Sequence, residues 1–522
     1  MNQLTGLFER GADALKMNQL ISLLGGIPGV LLLLVFVVIP ISIAIYDLTQ
    51  KKHAIRRNFP VIGMLRYALE TVGPELRQYL FASDRDDRPI PRYMRAWIYA
   101  SSKKMTATVA FGTRKDMDKP GTILMRHSAF PVLDVEPTQP RVVVGERTPN
   151  PYEASVFNIS AMSFGSLGAH AITALSQGAK MAGCFHNTGE GSVSPYHLKG
   201  GADICWQIGT GKFGCRTADG GFDPELFGEM ASREQIKMIE IKLSQGAKPG
   251  KGGVLPGEKV TAEIAATRKV PVGKSVLSPT RHREWDDIRG MLEWIDMTRG
   301  ISKKPTGVKF CLVNPAFVED MCQEMINTGI LLDFITVDGA EGGTGASPLA
   351  MTDYLGYPLH DGLMIVDNAL RRHGLREKIR VIASGKVFTG AQLAIVAALG
   401  ADMANSARGF MLSIGCIHAL RCNTNHCPAG VATQSKWLQR GLVPEVKAPR
   451  VANYHAAVIH ELNLVLHACG KTHLNQLERG DVMKMVDFNK LVSMDELVPY
   501  DAVPHMRPRE KDPVTIKEEK AG

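Results

Sequence analysis

No part of the 522-residue chain interleaves a lysine- or arginine-rich run with aromatic residues, which excludes a nucleic-acid groove despite a formal net charge of +9. A Walker A loop is absent, as is a dinucleotide fingerprint following a strand, so the P-loop and Rossmann modes of phosphate binding are excluded. A disulfide framework is missing too. The nine cysteines are an odd number gathered late in the chain, which points to a reducing compartment. Nor is apolar content scarce: 45% of residues are hydrophobic, which excludes disorder for the bulk of the chain. The length exceeds most single domains but suits a (β/α)8 barrel with extensions.

Charge is absent from one long stretch. Between Lys16 and Asp47 thirty residues carry none, and a hydrocarbon core needs about 20 to be crossed. Gly25, Gly26, Pro28 and Gly29 weaken the start of this run, and Pro40 predicts a kink. It is too long for a signal peptide and no Ala-x-Ala cleavage site follows. Residues 20–46 therefore read as one transmembrane helix after a short extracytoplasmic N-terminus at 1–19. Only Arg10 and Lys16 precede the span, whereas Lys51, Lys52, Arg56 and Arg57 follow it. The positive-inside rule then places the remainder in the cytoplasm, tethered by a single pass to the inner membrane.

Residues 47–150 read as a connecting region packed on the main domain. Met64, Leu65, Ala68, Leu69 and Val72 have helical spacing, with Gly73-Pro74 expected to interrupt the helix. Ser83 to Arg88, with Pro89 and Pro91 behind, reads as a loop. Thr106–Phe111 and Arg141–Val144 read as short strands.

From about residue 151 to 440 apolar runs alternate with helical patterns. Eight runs, at Val156–Ile159, Cys184–His186, Met238–Leu243, Ser275–Leu277, Gly307–Leu312, Phe334–Val337, Arg380–Ala383 and Asp402–Asn405, predict a closed parallel α/β barrel. Chemistry in that fold sits in the loops after the strands. Ala161-Met162-Ser163 follows the first run, Thr188-Gly-Glu190-Gly the second, and the glycine-rich stretch from Gly246 through Lys248 to Gly257 the third. Such a loop lets backbone approach a flat or anionic ligand, and Lys248 can neutralise a carboxylate or phosphate. Gly342-Gly343-Thr344 lies after the sixth run, Gly385-Lys386 after the seventh and Arg408-Gly409 after the eighth. Barrels often hold a cofactor phosphate there, which favours a phosphorylated mononucleotide such as a flavin. Lys309, near the end of the fifth run, is placed to face the flavin ring and stabilise charge developing on it.

Cys416, Cys422 and Cys427 are spaced x5 then x4, with Pro428 behind. Three thiols cannot complete a four-thiolate site unaided, but they can ligate an iron–sulfur cluster with one corner missing, and they read as ligands of a three-iron cluster. Residues 441–522 read as a helical extension, with a helix over Val451–Leu466, and a mobile charged tail from Arg507.

Over residues 150–440 the chain resembles the FMN-binding synthase domain of glutamate synthase. The resemblance rests on Ala-Met-Ser, Thr-Gly-Glu-Gly, Gln-Gly-Ala-Lys-Pro-Gly, Leu-Pro-Gly, Gly-Gly-Thr-Gly-Ala-Ser-Pro and Cys-x5-Cys-x4-Cys-Pro, all in family order. It implies FMN and a 3Fe–4S cluster on Cys416, Cys422 and Cys427, with the flavin held by residues at Ala161, Met162, Ser163, Lys309, Gly342, Gly343, Thr344, Gly385, Lys386, Arg408 and Gly409. It also implies that 2-iminoglutarate, formed from 2-oxoglutarate and ammonia, is reduced to L-glutamate. Lys248 and Arg268 would clamp the carboxylates, with Ser278 beside the substrate, and Glu190, Lys248 and Lys309 would serve catalysis. An external donor, a ferredoxin or a subunit oxidising NAD(P)H, would supply electrons. The oligomeric state stays open, a homo-oligomer included.

The chain also departs from the pattern. Val254 stands where the full-length enzymes carry Gln, Ser192 replaces Gly, Lys251 replaces Glu, and Ser406-Ala-Arg-Gly409 replaces Gly-Phe-Gly-Ser. No cysteine-first glutaminase domain precedes the barrel, so the chain is expected to use free ammonia. Two alternatives are kept beside glutamate formation: an FMN subunit of a complex joining an amine to glutamate, and a membrane electron-transfer component.

Overall fold

The computed structural model describes residues 22, 26–105, 108–133 and 138–500. The N-terminus expected at 1–19 and the tail from Arg507 lie outside them. Two compact units meet in sequence at Arg92 and Tyr93.

In the first unit, Pro28–Thr49 is one helix long and apolar enough to cross a membrane. It is α-helical over Gly26–Leu33 and Ile39–Thr49, with a π turn at Leu34–Val38. Pro40 cannot donate to the Phe36 carbonyl, and the wide turn falls where that bond is missing. A second helix runs from Gly63 to Leu76 and continues as a π turn over Arg77–Phe81. The break expected at Gly73-Pro74 is therefore not made. Pro74 forfeits its own N–H bond to Glu70, and the helix carries on through bonds such as Ala82 N–H to the Arg77 carbonyl at 2.7 Å.

The second unit is built on a closed parallel barrel of eight strands: β1 Phe157–Ile159, β2 His186–Asn187, β3 Ile204–Ile208, β4 Ile236–Lys242, β5 Thr306–Phe310, β6 Phe334–Asp338, β7 Arg380–Ser384 and β8 Met403–Ser406. Seven of these match expected runs, and one does not. Val276–Leu277 lies outside the barrel, paired antiparallel with Val254–Leu255, while Ile204–Ile208 supplies the missing stave. Ser275–Leu277 is only a short apolar run in a hairpin. Ile204-Cys-Trp-Gln-Ile208 is buried at every residue, so it lacks the alternation that marks a half-exposed strand. The loop from Gly246 to Gly257 therefore follows β4, the fourth strand.

Helices cover the barrel, among them Ala169–Ala182, Ile288–Ser302, Pro315–Thr328, Leu359–Arg372 and Gly390–Ala398. The 25-residue helix Pro444–Ala468 crosses Ala169–Ala182 closely enough that a Cβ on Gly178 would meet the Val451 side chain at 2.4 Å. Helix Arg92–Ser102 docks on it in turn: Trp97 stacks edge-on against Tyr454, and Ser102 accepts from Asn453. The strand expected at Thr106–Phe111 is absent from its described part, residues 108–111. Phe111 and Gly112 both take positive φ there, which ends any extended run. Arg141–Val144 is a strand, paired with Tyr152–Ser155.

Candidate active site

The barrel's lumen is polar at one level. Glu240 on β4 is buried and accepts from Asn187 at 2.8 Å, Gln207 at 2.6 Å and Thr336 at 2.7 Å. This network ties four strands together below the mouth. Lys309 on β5 stands in register with Lys242 on β4 and Thr336 on β6, so its side chain shares their inward face.

Above that level Glu190, on the turn Gly189–Gly191 after β2, gathers cations. Lys242 Nζ lies 3.2 Å from its Oε2 and 2.5 Å from Gln245 Oε1. Burial alone would raise the Glu190 pKa, but Lys242, Arg268 and Lys248 outweigh it and hold the carboxyl below its ordinary range. The Glu190 side chain is wedged between two glycines: a Cβ on Gly253 would fall 1.8 Å from Oε1, and one on Gly209 would fall 2.8 Å from Oε2.

Arg268 ends the helix Ala262–Arg268 and turns its guanidinium inward. It donates to Ser163 Oγ at 3.3 Å and to the Phe164 carbonyl at 3.1 Å, and lies over the Phe213 ring. Burial lowers its pKa to about 10, with Glu190 opposing the shift. Lys248 donates to the Ala346 carbonyl at 3.1 Å, which joins the loop after β4 to the loop after β6. Its pKa is lowered, first by burial, against Glu190. Ser278 is half-buried beside them, and its N–H donates to the Gly253 carbonyl at 2.9 Å. Two buried donors, Arg268 Nε and Gln245 Nε2, have no hydrogen-bond partner among the described residues. Buried donors are normally satisfied, so this pair asks for an acceptor beyond the described residues.

The loops after β6, β7 and β8 form the other side of the mouth. Asp338 accepts from Ser384 Oγ at 2.8 Å and from the Gly246 N–H at 2.8 Å. Arg408 reaches across to the Glu341 carbonyl at 2.8 Å, and its Nε would touch a Cβ placed on Gly343. Burial lowers the Arg408 pKa against Asp338 and Glu341. A Cβ on Gly409 would lie 2.3 Å from Tyr454 Oη, so only glycine lets the helix Arg408–Ser413 start so close to it. Gly385 and Lys386 line a cavity of 440 Å³ with Lys115, Lys119 and His360. Ala161, Met162 and Ser163 follow β1: Met162 N–H donates to the Asn187 carbonyl, and Ser163 meets Arg268. Gly342 folds over the Gly339 carbonyl, while Thr344 is exposed. Bare glycine backbone flanked by Arg408 and Lys386 has the donor chemistry that a phosphate monoester requires.

The cysteine loop is pinned from several sides. Lys259, itself buried, donates to the carbonyls of Cys422 at 2.9 Å, Ser166 at 3.1 Å and Ala432 at 3.2 Å. Tyr99 donates to the Cys416 carbonyl, and Arg95 lies 2.7 Å from His418 Nδ1. His418, Leu420 and Asn425 all take positive φ, so the chain between the thiols is tightly coiled. Burial pushes the Cys416 thiol up to about 12, and proximity to Cys422 and Cys427 adds to the shift. Among the described residues no three His, Cys, Asp or Glu side chains converge as ligands of a single ion. A three-iron cluster makes a different demand, one thiolate per iron, which spreads the sulfurs.

Lys242, Gln245 and Glu240 were not singled out from the sequence. A signal existed: Glu240 and Lys242 alternate with Ile239 and Ile241 and so share one face of the strand, where buried charge is tolerated only toward a polar lumen.

A family profile described as a conserved region in glutamate synthase matches residues 103–472. The chain is 40% identical over 498 residues to the glutamate synthase large subunit-like protein YerD of Bacillus subtilis, covering 87% of this chain and 94% of that one. It is 38% identical over 329 residues to an archaeal glutamate synthase [NADPH] of Methanocaldococcus jannaschii, covering 62% of this chain and 60% of that one. The ferredoxin-dependent glutamate synthase of Cyanidium caldarium is 32% identical over 362 residues, which is 64% of this chain but 22% of that protein.

Proposed function

The chain belongs to the glutamate synthase family, and from that premise we propose that it is a membrane-anchored oxidoreductase that makes L-glutamate from 2-oxoglutarate and ammonium through the imine. Two electrons and two protons complete the balance and water is released. The observation that carries this reading is the Glu190 carboxylate set among Lys242, Lys248 and Arg268 at the mouth of the barrel.

Arg268 and Lys248 bind the two carboxylates of the oxo acid, and the unpartnered Arg268 Nε and Gln245 Nε2 donate to its oxygens. Glu190, kept ionised, holds ammonium and then the cationic imine. A carboxyl with a depressed pKa is a poor proton donor but a good counter-ion. Gly253 and Gly209 keep its side chain from turning away. FMN when bound supplies hydride, and a 3Fe–4S cluster passes electrons singly. The FMN phosphate would lie among Gly342, Gly343, Thr344, Gly385, Lys386, Arg408 and Gly409, and the ring near Ala161, Met162, Ser163 and Lys309. Cys416, Cys422 and Cys427 would hold the cluster. A partner protein brings the electrons, and the helix Pro28–Thr49 anchors the chain to the cytoplasmic membrane. The synthase domain is taken as residues 151–440.

To test the assignment, the cofactor-loaded protein is given reduced methyl viologen, 2-oxoglutarate and isotope-labelled ammonium, and labelled glutamate is sought by mass spectrometry. Labelled glutamate supports the reading, and none above a heat-treated control rejects it. Product from an alkylamine but not from ammonium would favour the amine-transferring alternative. Val254 gives that alternative its footing, because it is an exposed apolar residue beside Ser278.

A further inference from the structure

In the first unit an apolar stripe is left uncovered. Ile62, Leu65, Leu69, Val72, Leu76 and Leu80 follow one another at intervals of three or four residues along one face of the helix beginning at Gly63, and each is between 37% and 71% exposed. A helix in water buries such a face, so this one calls for a partner that the first unit does not itself supply. Phe81, 77% exposed, extends the stripe at its far end. The polar side carries Arg66, ion-paired to Glu70 at 2.9 Å.

This helix is tied to the end of the apolar span. The Asp47 carboxylate, fully buried, accepts from Arg56 Nε at 2.8 Å and from the Val61 N–H at 3.0 Å. Gln50 bridges the Asp47 and His53 carbonyls, and the His53 ring lies 5.0 Å from that of Tyr67, on the second helix. Gly63 sits so close to the short helix Ala54–Asn58 that a Cβ would come within 2.9 Å of Arg56 Cα. The turn is thus a built elbow, and Lys51, Lys52 and Arg57 are exposed on it.

We propose that residues 62–81 form an in-plane membrane helix, its apolar stripe seated in the headgroup–acyl boundary of the bilayer that Pro28–Thr49 crosses. The inference rests on the reading of Pro28–Thr49 as a membrane span. Two features select a lipid surface: the stripe begins at Ile62, across the built elbow from the end of that span at Thr49, and the exposed cations at the elbow complement anionic headgroups. The Asp47–Arg56 pair fixes the angle at which the helix leaves the span.

The test uses the full chain in vesicles of phosphatidylethanolamine and phosphatidylglycerol, with a benzophenone amino acid substituted in turn for Phe36, Leu69, Leu80 and Glu70. Irradiation is expected to give phospholipid adducts at Phe36, Leu69 and Leu80, several-fold above Glu70. Adducts at Phe36 with only chain-to-chain products at Leu69 and Leu80 would mean a second copy covers the stripe and overturn the inference. Adducts at Phe36 with none at the stripe would overturn it too. No lipid adduct at Phe36 would sink the span reading and the inference with it. Asp47→Asn should lower the Leu69 and Leu80 adducts several-fold while sparing Phe36, and unchanged adducts would deny the elbow its role.

Discussion

Lys242 Nζ and Glu190 Oε2 stand 3.2 Å apart at the mouth of the barrel, a lysine at the end of β4 reaching a carboxylate on the turn after β2. Both side chains are largely buried, so each charge is held by the opposite charges around it.

Glu190→Gln leaves three cations facing a neutral amide, and about 3 kcal/mol of stability should be lost at neutral pH. The folded-state pKa of Glu190 lies below its ordinary value. Its contribution is therefore present above the ordinary carboxylate range and lost only as pH falls through the lower folded value. Urea denaturation should show the gap between variant and wild type closing in acid. A gap that stays constant down to that range would contradict the assigned charge state.

Lys248 must be protonated to hold a carboxylate, and its pKa is lowered, first by burial. The KM for 2-oxoglutarate should therefore climb in alkali at a pH where an ordinary lysine would still be charged, with kcat less affected. Lys248→Arg, whose guanidinium stays charged, should flatten the climb. A KM that rises identically in both proteins would remove Lys248 from the clamp.

Gly253→Ala would place a methyl group 1.8 Å from Glu190 Oε1. The carboxylate must move, and a displacement of that order should lower kcat/KM by about 100-fold, with flavin and iron content unchanged. Full activity would show that Glu190 can be repositioned without consequence.

How far the site could be read from sequence depended on what each residue advertises. Lys248, Arg268, Glu190 and the three cysteines stand in motifs whose spacing is itself the signal, and the structure sets Lys248, Arg268 and Glu190 around one mouth. Lys242 stands in no glycine-rich motif; it closes a strand that alternates charged and apolar residues toward its end, and its role appears only when β2 and β4 lie in one barrel with Glu190 above them. Ile204–Ile208 was missed for a related reason, because a stave buried on both faces carries no period. Pro74 marked a helix end that did not occur, since one lost hydrogen bond is a local cost that neighbouring turns absorb. The exposure of the stripe from Ile62 to Leu80 was beyond periodicity altogether: spacing marks an apolar face but not what covers it.

Lys259 holds three carbonyls around the cysteine loop, those of Ser166, Cys422 and Ala432. Lys259→Met abolishes those bonds without touching a thiol. Iron recovered per chain should fall several-fold after anaerobic reconstitution, approaching that of Cys422→Ser, while flavin is retained. Wild-type iron content in Lys259→Met would mean the loop holds its shape without the lysine.

Anaerobic stopped-flow of the reduced flavoprotein tests the central claim most directly. Bleached flavin absorbance should return rapidly when 2-oxoglutarate and ammonium are added together and stay bleached with either alone, and Lys248→Ala or Arg268→Ala should remove the response. Reoxidation at the same slow rate with both substrates, one or neither would contradict a glutamate-forming site at the mouth of this barrel.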